Sequence, residues 1–285
     1  MKKFLSLITG MILVIALSAC SFGPKNANDV LEKAEKASKN IKSFKAYTVT
    51  DVNITEQGQG VSMRTKGYMN FQKNPVALYT NQTVESGSSI NIQMYMTKDK
   101  IYIKNPSDPE MWLKIDNPDS EEFQQLAESQ SQSTDIKSQL KSLKSHAKHF
   151  DFIEKNDAYV LKFNGSGKDF ADFLNKMTEE QMANMDEQSQ QILKNAKYNH
   201  VSFTYSFDKE KLTPKTMDMK ADMTITNPGN SMEEARMKMN IKVKYSKFNN
   251  VKVSVPDKVK NNAQEILGPN ENQDNGNYDS YTNSL

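Results

Sequence analysis

Cysteine is nearly missing from this 285-residue chain, and its single occurrence excludes an internal disulfide, a zinc knuckle and a dithiol redox pair. Tryptophan also occurs once and histidine three times, which leaves little material for nucleophilic or metal chemistry. Neither charge sign is in real excess: 37 Lys and Arg face 35 Asp and Glu, and a net charge of +2 gives no footprint for nucleic acid. Apolar residues are scarce at 36%, and adding the eleven glycines still leaves the chain short of the roughly 45–50% of ordinary globular domains. The length suits one large or two small domains, whose core must be lean.

What is present begins at the N-terminus. Lys2 and Lys3 precede an apolar run from Phe4 to Leu17. That run is shorter than the roughly 20 residues needed to span a bilayer and has the length of a signal-peptide core. It ends in Leu17-Ser18-Ala19-Cys20, which resembles a bacterial lipobox. The expectation is a signal peptide over 1–19, cleavage before Cys20, and a diacylated Cys20 anchoring the chain to the lipid bilayer at the extracytoplasmic face of the cell membrane. Two acyl chains hold stably where one is marginal. Loss of Lys2 and Lys3 leaves 35 basic against 35 acidic residues.

Ser21 to Asn28, rich in Gly, Pro and Asn, reads as a tether that reaches roughly 26 Å when stretched. Asp29 with Glu32 predicts a capped helix carrying Val30, Leu31, Ala34, Ala37 and Ile41 on one stripe. From Ser43 the period falls to two. Val61, Met63, Thr65, Gly67, Met69 and Phe71 alternate with polar residues, as do Ile90, Ile92, Met94 and Met96. Further alternation runs through Val201, Phe203, Tyr205 and Phe207, through Met217, Met219, Ala221, Met223 and Ile225, and through Met237, Met239, Ile241, Val243 and Tyr245. Lys98-Asp99-Lys100 and Lys155-Asn156-Asp157 read as hairpin turns. With no βαβ order, the pattern predicts one antiparallel sheet with inserted helices in a single domain over 29–258.

Two insertions interrupt the strands. Residues 119–134, rich in Ser, Gln and acid, read as a mobile linker into a helix from Asp135 to His149. Ile136, Leu140, Leu143 and Ala147 form its apolar stripe, while Lys137, Lys141, Lys144 and Lys148 recur one position along. That lysine row is either a solvated face or a surface turned to anionic headgroups. A second helical stretch, from Lys168 to Asn195, restarts at Thr178. Residues 259–285 read as a disordered polar tail, with four acids and no Lys or Arg from Asn261 on.

Methionine is abundant, with 16 in the chain. Many occupy alternate strand positions, so their thioethers share a face that either fills a core or adapts to acyl chains. The candidate cavity-lining set is Met63, Met69, Ile92, Met94, Met96, Phe203, Met217, Met219, Met223, Met237, Met239 and Ile241. Copper(I) binding lacks a close cluster of Met, His and Cys in a loop. No Gly-x-Ser-x-Gly, His-Glu-x-x-His or Walker loop is present. His146, His149 and His200 read as solvated surface residues. The expectation is a non-enzyme with no cofactor, no metal and no nucleic-acid partner.

The lipobox, the helix ending in Ile41-Lys42-Ser43-Phe44-Lys45-Ala46-Tyr47, the turn Phe207-Asp208-Lys209-Glu210-Lys211-Leu212-Thr213-Pro214-Lys215 and the segment from Tyr245 to Pro256 together resemble the LolA/LppX-like superfamily, in particular its Gram-positive lipoproteins. The resemblance implies an α+β fold, a curved antiparallel unclosed half β-barrel with helices over its concave face. It also implies a cavity for a lipid or other acyl-chain ligand. The alternative is a cell-envelope interaction or sensor module that keeps the fold and fills the cavity with side chains.

Overall fold

A computed structural model describes residues 23–116, 134–163, 167–177, 196–227 and 230–265, with the single residues 119, 123, 124, 127 and 191. The signal peptide and Cys20, most of the Ser/Gln stretch, the helical restart at Thr178 and the tail from residue 266 lie outside the described residues. The described residues hold twelve strands: β1 (Ser43–Glu56), β2 (Gln59–Gln72), β3 (Ala77–Ser86), β4 (Ser88–Thr97), β5 (Ile101–Lys104), β6 (Trp112–Ile115), β7 (Phe150–Glu154), β8 (Ala158–Phe163), β9 (Lys197–Asp208), β10 (Pro214–Asn227), β11 (Asn230–Ser246) and β12 (Gln264–Glu265). Among the described residues they form one sheet in the order β12-β6-β5-β4-β3-β2-β1-β11-β10-β9-β8-β7. The two ends of that series do not pair. The fold is therefore an unclosed half-barrel of the α+β class, antiparallel throughout except where β12 runs parallel to β6.

Helices α1 (Ala27–Ser38), α2 (Ile136–Ser145) and α3 (Gly167–Met177) cover part of one face, while α4 (Asp257–Asn262) packs its Val259 against Tyr102 and Tyr95 on the other. The cap of α1 is Asn26 and not Asp29, because the Asn26 Oδ1 accepts the Asp29 backbone N–H at 2.9 Å. Asp29 in turn accepts from the Lys25 backbone N–H at 3.0 Å. The tether is shorter than the sequence suggests, since Pro24 is already buried and Ala27 and Asn28 belong to α1. Asp135, read as the first residue of the helix, instead caps α2 by accepting from Ser138 N at 3.1 Å.

Val30, Leu31, Ala34, Ile136, Leu140, Leu143, Phe170 and Phe173 reach down from α1, α2 and α3 onto Phe44, Phe150, Leu161, Phe163, Phe203, Tyr205 and Phe207 of the sheet. Their rings meet mostly edge to face: Phe163 and Phe170 at 5.3 Å between centroids, Phe173 and Phe203 at 5.5 Å. A second cluster holds Leu78, Met94, Met96 and Ile101 with Phe123. Phe123 lies within the stretch read as a mobile linker, so the chain packs there after all, using an aromatic anchor that the surrounding Ser and Gln obscure. Met69 and Phe71 pack against both clusters and join them.

The C-terminal segment clamps the start of β1. Asn249, at a positive φ of 58°, accepts from the Lys42 N–H at 2.6 Å and donates its amide to the Asn40 carbonyl at 3.0 Å. Beyond it Val255 and Val259 bury against Tyr102. Residues 259–265 are therefore folded as the end of α4 and β12, and the polar composition that suggested a tail from 259 hides the buried Val259.

Candidate functional site

Register decides which side chains meet. Ile54 pairs with Val61 and Met237, Val52 with Met63 and Met239, Thr50 with Thr65 and Ile241, and Ala46 with Met69 and Tyr245. Across β10 the rows continue through Met217, Met219, Ala221 and Met223 to Tyr205, Phe203, Val201 and Tyr198. In the other direction they run through Thr80 to Met94 and through Gln82 to Ile92. Since paired residues project to the same side, all twelve candidate cavity residues stand on one face, the face that carries α1, α2 and α3.

Their surroundings differ. Phe203 and Met219 are buried in the helix-covered cluster, and Met69, Met217, Met239 and Ile241 pack against it. Met94 and Met96 belong to the second cluster, and Met223 is buried outside both. Ile92 and Met237 are half-buried. Met63 is 40% exposed. Next to Met63 the structure adds residues absent from the candidate set: Ile54 at 36% exposed, Val61 at 63% and Ile90 at 43%. Val61 and Ile90 fall on the same alternation as their neighbours, so extending each period to the strand tips would have included them. The site is thus an apolar sheet face covered by helices toward the start of β1 and open toward the β1–β2 and β3–β4 tips.

Polar groups within this face are few. The Tyr205 phenol is buried, with the Tyr245 hydroxyl beside it. Burial, reinforced by the neighbouring Tyr245, pushes it well above the ordinary phenol range, so it stays protonated. His146 is buried, contrary to its reading as a surface residue, because it continues the Ile136, Leu140, Leu143 stripe and lies edge-on to Phe173 at 5.4 Å. Its Nδ1 lies 2.9 Å from Ser145 Oγ at the end of α2, a local contact and not a nucleophile aimed into a cleft. His149 is half-buried and His200 exposed. Among the described residues, no three His, Cys, Asp or Glu side chains converge to hold a metal.

The lysine row on α2 is uneven. Lys137, Lys141 and Lys148 are exposed, while Lys144 is half-buried with its Nζ 3.7 Å from Glu35 of α1. Glu32, one turn away, is held below the ordinary carboxyl range by its hydrogen bond to Lys36, then by the charges of Lys36 and Lys144. Among the described residues, no helix is long and apolar enough to cross a membrane.

These features define an α+β half-barrel with a partly covered apolar face. The chain belongs to a family of unknown function, DUF6612, whose pattern matches residues 26–264. No curated protein matches the sequence. Among solved structures it is similar to LprF from Mycobacterium bovis, at 10% identity over 83% of this chain and 99% of that one, with a TM-score of 0.36. A DUF1329 family protein from Desulfovibrio piger is similar at 9% identity over 82% and 96% of the two chains, with a TM-score of 0.24. A putative outer membrane lipoprotein-sorting protein domain from Vibrio parahaemolyticus is similar at 10% identity over 83% and 98%, with a TM-score of 0.23.

Proposed function

We propose that this chain is an extracytoplasmic lipoprotein, anchored through an acylated Cys20, that binds or carries a lipid or other acyl-chain ligand on the inner face of its half-barrel. One observation carries the reading: the apolar face does not stop where the helices stop. Ile54, Val61, Met63 and Ile90 are 36–63% exposed and continue directly into half-buried Ile92, Met237 and Met239. Contiguous exposed apolar surface marks a binding site. Each methylene laid on it gains about 0.8 kcal/mol. The thioethers repack around chains of different length and unsaturation.

Native mass spectrometry of residues 20–285 carrying Cys20→Ser, followed by lipid extraction, tests this. Bound acyl lipid after mild preparation is the expected result. A lipid-free chain that also takes up no added acyl probe sinks the carrier reading and leaves the interaction or sensor module.

The anchor brings α2 within reach of headgroups. With about 1 kcal/mol per lysine near an anionic surface, Gln at Lys137, Lys141 and Lys148 together is expected to weaken binding of the unlipidated chain to anionic liposomes by up to roughly 100-fold at low salt. Lys144→Gln has a smaller effect, because its charge is already turned to Glu35. Unchanged liposome binding in the triple variant removes the membrane role of this row.

A further inference from the structure

Strand direction gathers six connections at one end of the sheet: 39–42, 73–76, 98–100, 155–157, 209–213 and 247–256. Together they hold ten Lys and three Asp or Glu. The turns of the β1–β2 and β3–β4 hairpins, at the other end, consist of Gln57, Gly58 and Gly87 and hold no charge. The half-barrel thus has two unlike ends, one basic and one edged with exposed apolar side chains.

Hydrogen bonds concentrate the lysines at one corner of the basic end. The Lys73 N–H donates to the Lys42 carbonyl at 2.8 Å, and the Lys42 N–H donates to Asn249 Oδ1 at 2.6 Å. Asn249 donates its amide to the Asn40 carbonyl beside Lys39, and the Asn250 N–H donates to the Lys247 carbonyl at 3.0 Å. Stretches 39–42, 73–76 and 247–252, far apart in the chain, therefore meet with five lysines and no acid among them. Lys39, Lys42, Lys73, Lys247 and Lys252 are all exposed, and none forms an ion pair among the described residues. At the β8–β9 side of the same end the charges are already matched, Glu154 with Lys209 at 2.6 Å and Asp157 with Lys215 at 2.7 Å.

The N-terminal segment leaves from this end too. Gly23 lies against Tyr159 near the start of β8, and α1 spans its 12 residues, about 18 Å, between there and the Asn249 clamp.

We infer that the basic end is a docking surface for the anionic headgroups of a bilayer, so that the half-barrel stands on its lysine-bearing loops with the open apolar tips turned away from the membrane. Clustered lysines without acids gain attraction from an anionic surface within about a Debye length. A soluble polyanion would meet the same charge, but a bilayer is what an acylated Cys20, three residues before Gly23, brings to this end. The orientation rests on that proposed anchor, while the lysine surface stands without it. β1 is 14 residues long, so the Gln57-Gly58 turn stands up to roughly 46 Å from the basic end at about 3.3 Å per residue. The mouth of the apolar face then opens to whatever approaches from outside the leaflet.

Co-sedimentation of residues 20–285 carrying Cys20→Ser with vesicles tests the surface in the absence of the anchor. Binding to mixed phosphatidylglycerol and phosphatidylcholine vesicles is expected, falling steeply with salt, and none to phosphatidylcholine alone. Lys42→Gln, Lys73→Gln and Lys247→Gln together are expected to weaken it about 100-fold at low salt. Lys220→Gln, Lys238→Gln and Lys242→Gln remove the same charge from β10 and β11, on the face opposite α1, and are expected to weaken it by about threefold or less. All six lysines are exposed, so both variants are expected to keep the melting temperature. With Cys20 replaced the chain has no thiol, and Asn250→Cys or Ser88→Cys places a single fluorophore at one end or the other. Quenching by dye-bearing headgroups is expected at position 250 and not at position 88. Equal losses in the two triple variants, no binding to the anionic vesicles, or quenching at position 88 alone overturns the docking surface. A chain that meets these expectations yet is not acylated at Cys20 in cells keeps the surface and loses only the anchor.

Discussion

Gly67→Ala is expected to destabilise the fold by about 3 kcal/mol or more, seen as a fall in the urea midpoint at unchanged slope. Gly67 sits in the middle of β2 on the inner face, opposite Thr48 on one side and Gln82 on the other. A Cβ there would run into the Asn81 carbonyl oxygen, and would lie 2.6 Å from Gln82 Cα and 2.9 Å from Gln82 Cγ. Two of those atoms are backbone, so no rotamer change relieves the clash. The strand must move, and β3 with it. A glycine within a strand commonly marks such a close backbone approach. Gly60→Ala supplies the contrast within the same strand. Its nearest neighbour would be 3.8 Å away, and its expected effect is within about 0.5 kcal/mol.

Cys20→Ser is expected to abolish incorporation of a labelled fatty acid into the protein and to leave the apolar Phe4–Leu17 segment uncleaved, seen as a gain of mass over the mature chain, with melting temperature unaltered. The lysines of α2 supply an attraction that salt screens, so a wash at high ionic strength separates it from lipid anchoring. Undiminished fatty-acid labelling of the Cys20→Ser chain would overturn the assignment of Cys20. Gly23 lies against Tyr159, and the three residues from Cys20 to Gly23 reach at most roughly 10 Å. A chain anchored as proposed at Cys20 is therefore held close to the bilayer.

The strands with clean alternation were readable in the sequence, and with them the common face of the twelve candidate residues. The period of two fixes which side a residue occupies and nothing about what lies above it. Met219 and Met63 look alike in sequence, yet one is under the helices and the other is 40% exposed. β3 carries no clean alternation, because Thr80 and Gln82 take inner positions between Leu78 and Val84 and break the apolar pattern. Asn26 and Asp29 are both good capping residues, and only the bond to Asp29 N decides for Asn26 at the start of α1. His146 is polar and so reads as a surface residue, yet its spacing continues the Leu140, Leu143 stripe and buries it.

An unclosed sheet keeps two edges, and on a crowded membrane two edges invite copies to zip together strand by strand. Here both are blunted. At one end β7 is five residues long and carries Asp151 and Glu154. At the other, the two residues of β12 lie over β6, where Lys114 reaches Glu265 at 3.6 Å and Asp116 at 2.8 Å. Short strands and charge at the margins are the usual defences against edge-to-edge growth. The C-terminal strap thus covers the β6 edge, and deleting residues 257–265 is expected to expose β6 as a template for the next molecule.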